Sequence, residues 1–106
     1  MPKMMIKASY SAEGTRGLLK EGGSARVSTV KNLIESMGGR VEAFYYAYGD
    51  ADAVIIIDVP DEASGLALSM AVNASGAVRL STTPLITPEQ VDAASKKSVA
   101  YRAPGA

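Results

Sequence analysis

The run Ala53–Val59, AVIIIDV, constrains this chain more than any other stretch. Four consecutive β-branched residues, Val54–Ile57, are stiff at χ1 and suit a pleated strand better than a helix. The run is far short of the roughly 20 apolar residues of a membrane helix. Both alternating sets of side chains are apolar, so the sheet that holds this strand needs cover on two sides. Upstream lies RVEAFYYAYGDAD, and Pro60 ends the run. The pair reads as a β-hairpin, strand 41–48 and strand 52–59, turning at Gly49–Asp50.

With Asp50 and Ala51 as a two-residue turn, Tyr46 stands opposite Ile55, Tyr45 opposite Ile56 and Ala43 opposite Asp58. That register sorts the side chains into two sets. Phe44, Tyr46 and Tyr48 join Ala53, Ile55, Ile57 and Val59 on the face that meets helices. Val41, Ala43, Tyr45 and Ala47 join Val54, Ile56 and Asp58 on the other. Residues 4–10, MMIKASY, alternate with period two and form another strand, which adds Met5, Lys7 and Ser9 to the second face. A last strand, VRLSTTPLI, adds Arg79, Ser81 and Thr83.

Three segments between these strands have helical spacing. Leu18 and Leu19 suit a short helical turn before Gly22 and Gly23 break it. Ser24 then caps an amphipathic helix with Val27, Val30, Leu33, Ile34 and Met37 inward, stopped by Gly38 and Gly39. Asp61 caps a helix over about 62–74 whose expected inner stripe is Ala63, Leu66, Ala67, Met70 and Ala74, closed by Gly76. After the last strand, Thr87 with Gln90 three residues on and Pro88 between them spells a capping box with proline at the first helical position. The expectation is one domain, residues 1–106, with a core over about 3–86, a C-terminal helix over about 87–98 and a frayed tail at 99–106. The order strand, helix, strand, strand, helix, strand predicts an α+β, ferredoxin-like sandwich: a four-stranded antiparallel sheet with both long helices on one face.

Composition narrows the chemistry. Lys plus Arg equals Asp plus Glu at 11 each, so no overall positive field draws nucleic acid. Without cysteine there is no disulfide or thiolate chemistry, and without histidine the commonest general base and a leading metal ligand are missing. No metal site and no cofactor are expected. The N-terminus has no signal-like apolar run, which points to a cytoplasmic protein with no membrane partner. Ser28 and Lys31 have the spacing of a serine acyl enzyme, but the helical stripe turns both to solvent. Asp50 and Asp52 begin like a calcium loop, yet the apolar strand follows where oxygen ligands are required. The Gly14–Gly17 spacing lacks the ending of a phosphate loop.

The second sheet face, with Met5, Val41, Tyr45, Val54 and Ile56, is more contiguous apolar surface than a monomer leaves wet. A second copy of the chain is the simplest cover, giving a homodimer or a higher oligomer. Sheet-to-sheet pairing would enclose a cavity lined by Lys7, Ser9, Tyr45, Asp58 and Arg79, with Arg79 placed to grip a carboxylate. The structural alternative makes Lys7 and Asp58 an ion pair between adjacent strands.

The runs YSAEGTRGLLKEGGSARV, MGGRVEAFYYAYGDAD and DEASGLALSMAVNASGAVRLSTTPLITPEQVDAA are similar, along nearly the whole chain, to the GYD-domain family of small bacterial proteins. The matching positions are Gly14, Gly38, Gly39, Phe44, Tyr45, Gly49, Asp52, Gly76, Val78, Arg79, Thr87 and Glu89. Ala51 departs from the family motif, which has tyrosine just before the aspartate. The resemblance implies a dimeric α/β barrel, an architecture rather than a reaction. The leading expectation is a non-enzymatic homodimer that binds a small anionic or aromatic molecule between its sheets. Two alternatives stand beside it: a cofactor-independent oxygenase- or isomerase-like enzyme using Tyr45, Lys7 and Asp58, and a structural association module with a filled interface.

Overall fold

A computed structural model describes residues 1–106. The chain is α+β, with a four-stranded antiparallel sheet and four helices in the order β1 (Lys3–Tyr10), α1 (Ala12–Glu21), α2 (Gly23–Ser36), β2 (Arg40–Tyr46), β3 (Ala53–Asp58), α3 (Glu62–Ser75), β4 (Val78–Leu85) and α4 (Pro88–Ser95). The strand order is β2-β3-β1-β4. The β-branched run thus becomes a central strand, paired on both sides. Met4 and Ile6 of β1, Ile55 and Ile57 of β3, Val59 after it, Ile34 of α2 and Leu68 of α3 form the buried core. All of it lies on one side of the sheet. No helix is long and apolar enough to cross a membrane.

The hairpin register differs from the two-residue turn by two places: Tyr46 pairs with Ala53, Tyr45 with Val54 and Ala43 with Ile56. A slip of two leaves each side chain on its own face, so most of the sorting survives. The turn is wider because Asp52 is recruited to β1. Its amide donates to the Ala8 carbonyl at 2.8 Å, and its carboxylate accepts from the Tyr10 amide at 2.8 Å. Tyr48 is consequently in the connection rather than the strand. It is fully exposed, at 102%, and is not turned to the helices as the alternation predicts. Val41 is also on the other face from the one expected. The register shifts between Val41 and Ala43, so Glu42 is an extra residue, and Val41 pairs with Ile57 and packs against the helix-side core.

The helices differ from expectation at their starts and faces. The Leu18–Leu19 segment is a ten-residue helix capped by Ser11, whose hydroxyl accepts from the Gly14 amide at 3.0 Å. Ser24 is not a cap, because α2 already begins at Gly23, and Gly22 with φ +87° occupies the cap position without a side-chain bond. In α3 the buried positions are Gly65 and Leu68 and the half-buried ones Ser64, Ser69 and Val72, while the stripe expected inside, Ala63, Leu66, Ala67, Met70 and Ala74, is exposed. Apolar side chains ring α3 almost evenly, so periodicity alone cannot choose its face. The observed face lays Gly65 over Met4, whose sulfur and methyl group a Cβ there would have to displace.

Asp61 caps α3 through the Ser64 amide at 2.7 Å, and Gly76 ends it in the left-handed region at φ +75°. The capping box of Thr87 and Gln90 is formed, and α4 runs from Pro88 to Ser95. The outer edge of β4 is blunted. Asn73 of α3 reaches it, accepting from the Leu80 amide at 2.6 Å and donating to the Leu80 carbonyl at 3.3 Å. Four residues farther along, Pro84 has no N–H to offer.

Candidate functional site

The face of the sheet opposite the core carries rows of side chains fixed by register. Tyr45, Val54, Lys7 and Ser81 form one row across the four strands, and Ala43, Ile56, Met5 and Thr83 the next. Ser9 and Arg79 are paired at one end. At the opposite end lie Arg40, Asp58, Lys3 and Leu85. Tyr45 is 72% exposed, and Lys7, Arg79, Ser81 and Thr83 are also exposed. Met5, Val54 and Ile56 are half-buried by their neighbours alone.

The five residues expected to share a cavity divide into two groups. Lys7, Ser9 and Arg79 come together with Ser81 and the Asp50–Ala51 turn around a depression of about 160 Å³. Ala51 lines this depression with only a methyl group. Tyr45 is on the same face, two strands from Lys7 or about 10 Å at ordinary strand spacing. Asp58 is elsewhere. It pairs with Lys3, four residues along β1 from Lys7, which is about 13 Å at the rise of a strand.

The ion pair expected between Lys7 and Asp58 is therefore formed by other residues. Lys3 Nζ lies 3.0 Å from Asp58 Oδ1 and 2.7 Å from Glu42 Oε2, and Arg40 Nη2 lies 2.9 Å from Asp58 Oδ2. Lys3 is the first residue of β1, one before the alternation recognisable from Met4, and shares the parity of Met5, Lys7 and Ser9 on the open face. Arg40 and Glu42 reach the cluster through the bulge, which no period-two pattern encodes. The hydrogen bond from Lys3, then that from Arg40, holds the Asp58 carboxyl below its ordinary range against the opposing effect of burial. Glu42 first and Asp58 second raise the Lys3 ammonium. This cluster is a closed set of partners that ties β2, β3 and β1 together at one end, with no acid or base left over.

On the helix side, Tyr46 donates from its hydroxyl to the Gly23 carbonyl at 2.9 Å and packs obliquely on Phe44, with ring centroids 5.2 Å apart. Burial pushes the Tyr46 phenol up, keeping it a neutral donor. Between α2, α3 and the sheet lies a cavity of about 50 Å³ lined by Val30, Leu33, Phe44, Leu68, Val72 and Leu80 among others. It is almost wholly apolar and belongs to imperfect packing of the core rather than to chemistry.

The GYD domain family model matches residues 4–95, and the chain belongs to that family. No curated protein and no solved structure matches it.

Proposed function

We propose that this GYD-domain protein works as a homodimer whose open sheet faces meet, two ferredoxin-like halves making a dimeric α/β barrel, and that it holds a small anionic or aromatic molecule between them. The observation that carries this reading is the uncovered face itself. Met5, Val54, Ile56 and Tyr45 lie contiguously on it, and the core helices are all on the far side. Such a patch on a small protein marks an interaction surface. The element order and the strand order β2-β3-β1-β4 agree with two interleaved split βαβ units.

Lys7, Ser9 and Arg79 supply the recognition chemistry. Two cations beside a hydroxyl suit a carboxylate or phosphate, the guanidinium offering a two-pronged grip that an ammonium cannot. Tyr45 gives a ring on which an aromatic portion of the ligand can lie. Binding is favoured over turnover because Asp58, the only buried carboxylate on this face, is neutralised by Lys3 and Arg40 far from Tyr45. A general base must be within hydrogen-bond reach of its proton.

Sedimentation equilibrium together with a thermal-shift series in aromatic carboxylates and inorganic phosphate tests this. The native chain sediments as a dimer or a larger assembly, and Ile56→Glu, which breaks the pairing of sheet faces, sediments at a lower mass. A ligand at about 100 times its Kd adds ~2.7 kcal/mol of stability, a shift that Arg79→Ala and Lys7→Ala lose while remaining dimeric. A native chain that stays monomeric at the highest attainable concentration refutes the reading.

A further inference from the structure

The last 21 residues have no place on their own subunit. Every residue from Ile86 to Ala106 is exposed, including Ile86, Val91, Val99 and Tyr101. The radius of gyration is 17.0 Å and the longest extent 56 Å, whereas a compact chain of this length has a radius near ~13 Å. The excess is the arm. Yet α4 is a formed helix with a complete capping box. Eight residues are fewer than the ~12–15 at which an isolated helix becomes even marginal in water, so α4 requires packing that its own body does not supply.

The matching vacancy in the fold is the outer face of α3. Ala63, Leu66, Ala67, Met70 and Ala74 recur there at helical spacing, with Leu66 at 62% and Met70 at 63% exposure. Small residues around two large ones let a second helix approach closely. Charge agrees as well. Residues 41–78 contain no Lys or Arg, and α3 opens with Asp61 and Glu62. The arm beyond Asp92 contains Lys96, Lys97 and Arg102 and no acidic residue.

We infer that residues 86–106 form an exchanged arm, α4 and the basic tail of one copy lying along the outer face of α3 of a second copy. The second copy is the occupant because each chain carries both halves of the contact and leaves both uncovered. The outer face of α3 is on the far side of the molecule from the open sheet, so the contact is separate from the pairing of sheet faces.

The chain has no cysteine, so introduced thiols report without background. Val91→Cys in one tagged copy is co-expressed with Met70→Cys, or Leu66→Cys, in a differently tagged copy, and the purified protein is oxidised with oxidised glutathione. The expected product is a disulfide between unlike copies, its yield falling several-fold when Met70→Asp is placed beside Leu66→Cys. Ile56→Glu, which separates the sheet faces, leaves the link intact. Two results overturn the inference: a chain carrying both cysteines that closes on itself at high dilution, or links between like α3 faces with none to the arm.

Discussion

Gly14 puts two physical effects in opposition, and its neighbour Gly17 isolates one of them. Both glycines are in α1, where replacement by alanine ordinarily gains up to ~1 kcal/mol. A Cβ at Gly17 meets nothing within 4 Å. A Cβ at Gly14 runs into the Ala77 carbonyl, its carbon 3.2 Å away and its oxygen well inside contact, with Tyr10 at 3.4 Å on the other side. The obstacle is backbone and cannot rotate away. The helix start must lift, and the same carbonyl accepts from the Ser11 amide at 3.0 Å and the Ser11 hydroxyl at 3.1 Å. Overpacking costs ~1–3 kcal/mol and each weakened hydrogen bond up to ~1, against the ~1 gained in propensity. Gly14→Ala should therefore lose about 1–3 kcal/mol while Gly17→Ala gains about 0.5–1. Urea denaturation at one fixed protein concentration reads both. If Gly14→Ala is as stable as the native chain at unchanged m, the close approach of α1 to Ala77 is not a constraint and the reasoning fails.

Two further perturbations test the interior. Asp58→Asn should cost about 1–3 kcal/mol at pH 7 by stripping Lys3 and Arg40 of their shared carboxylate. Because the folded carboxyl is held below its ordinary 3.8, that contribution is complete above this value and is lost as the pH falls through the lower folded one. Urea melts at pH 7 and pH 3 should show the gap between native and variant narrowing in acid; an equal gap at both denies the ion pair its role. Val72→Ile extends a methyl toward the cavity of about 50 Å³, and at ~24 cal/mol per Å³ filling it gains at most ~1 kcal/mol. A higher urea midpoint is expected, and a lower one means the walls do not yield the space.

The sequence signals that proved reliable were those with a local physical cause. A β-branched run cannot be comfortable in a helix, and Asp61, Gly76 and the Thr87–Gln90 box each answer an orphaned backbone group at a helix end, so these elements were readable. Register was less so. Nothing in AFYYAYGDAD announces that the Asp52 carboxylate will be spent on the Tyr10 amide, and it is that long-range bond that widens the turn and frees Tyr48. The bulge at Glu42 similarly turns Val41 inward and delivers Arg40 to Asp58 and Glu42 to Lys3. For α3 the pattern was degenerate, and the face that packs, with Gly65 over Met4 and Leu68 in the core, is set by tertiary contact that periodicity does not encode. The depression at Lys7, Ser9 and Arg79 was legible because parity on β1 and β4 is unbroken, whereas Asp58 was misplaced through register and not through face.

The side chain of Asn73, clasped to both polar groups of Leu80, also bears on how the protein stays out of aggregates. A ribbon that lengthens by adding strands needs two margins open to newcomers, one at each side. Here the β4 margin is stopped by an amide at one place and by a proline at another, so only β2 can accept a stranger. Growth begun at β2 finds no second doorway: two molecules can meet edge to edge once, and the queue ends there.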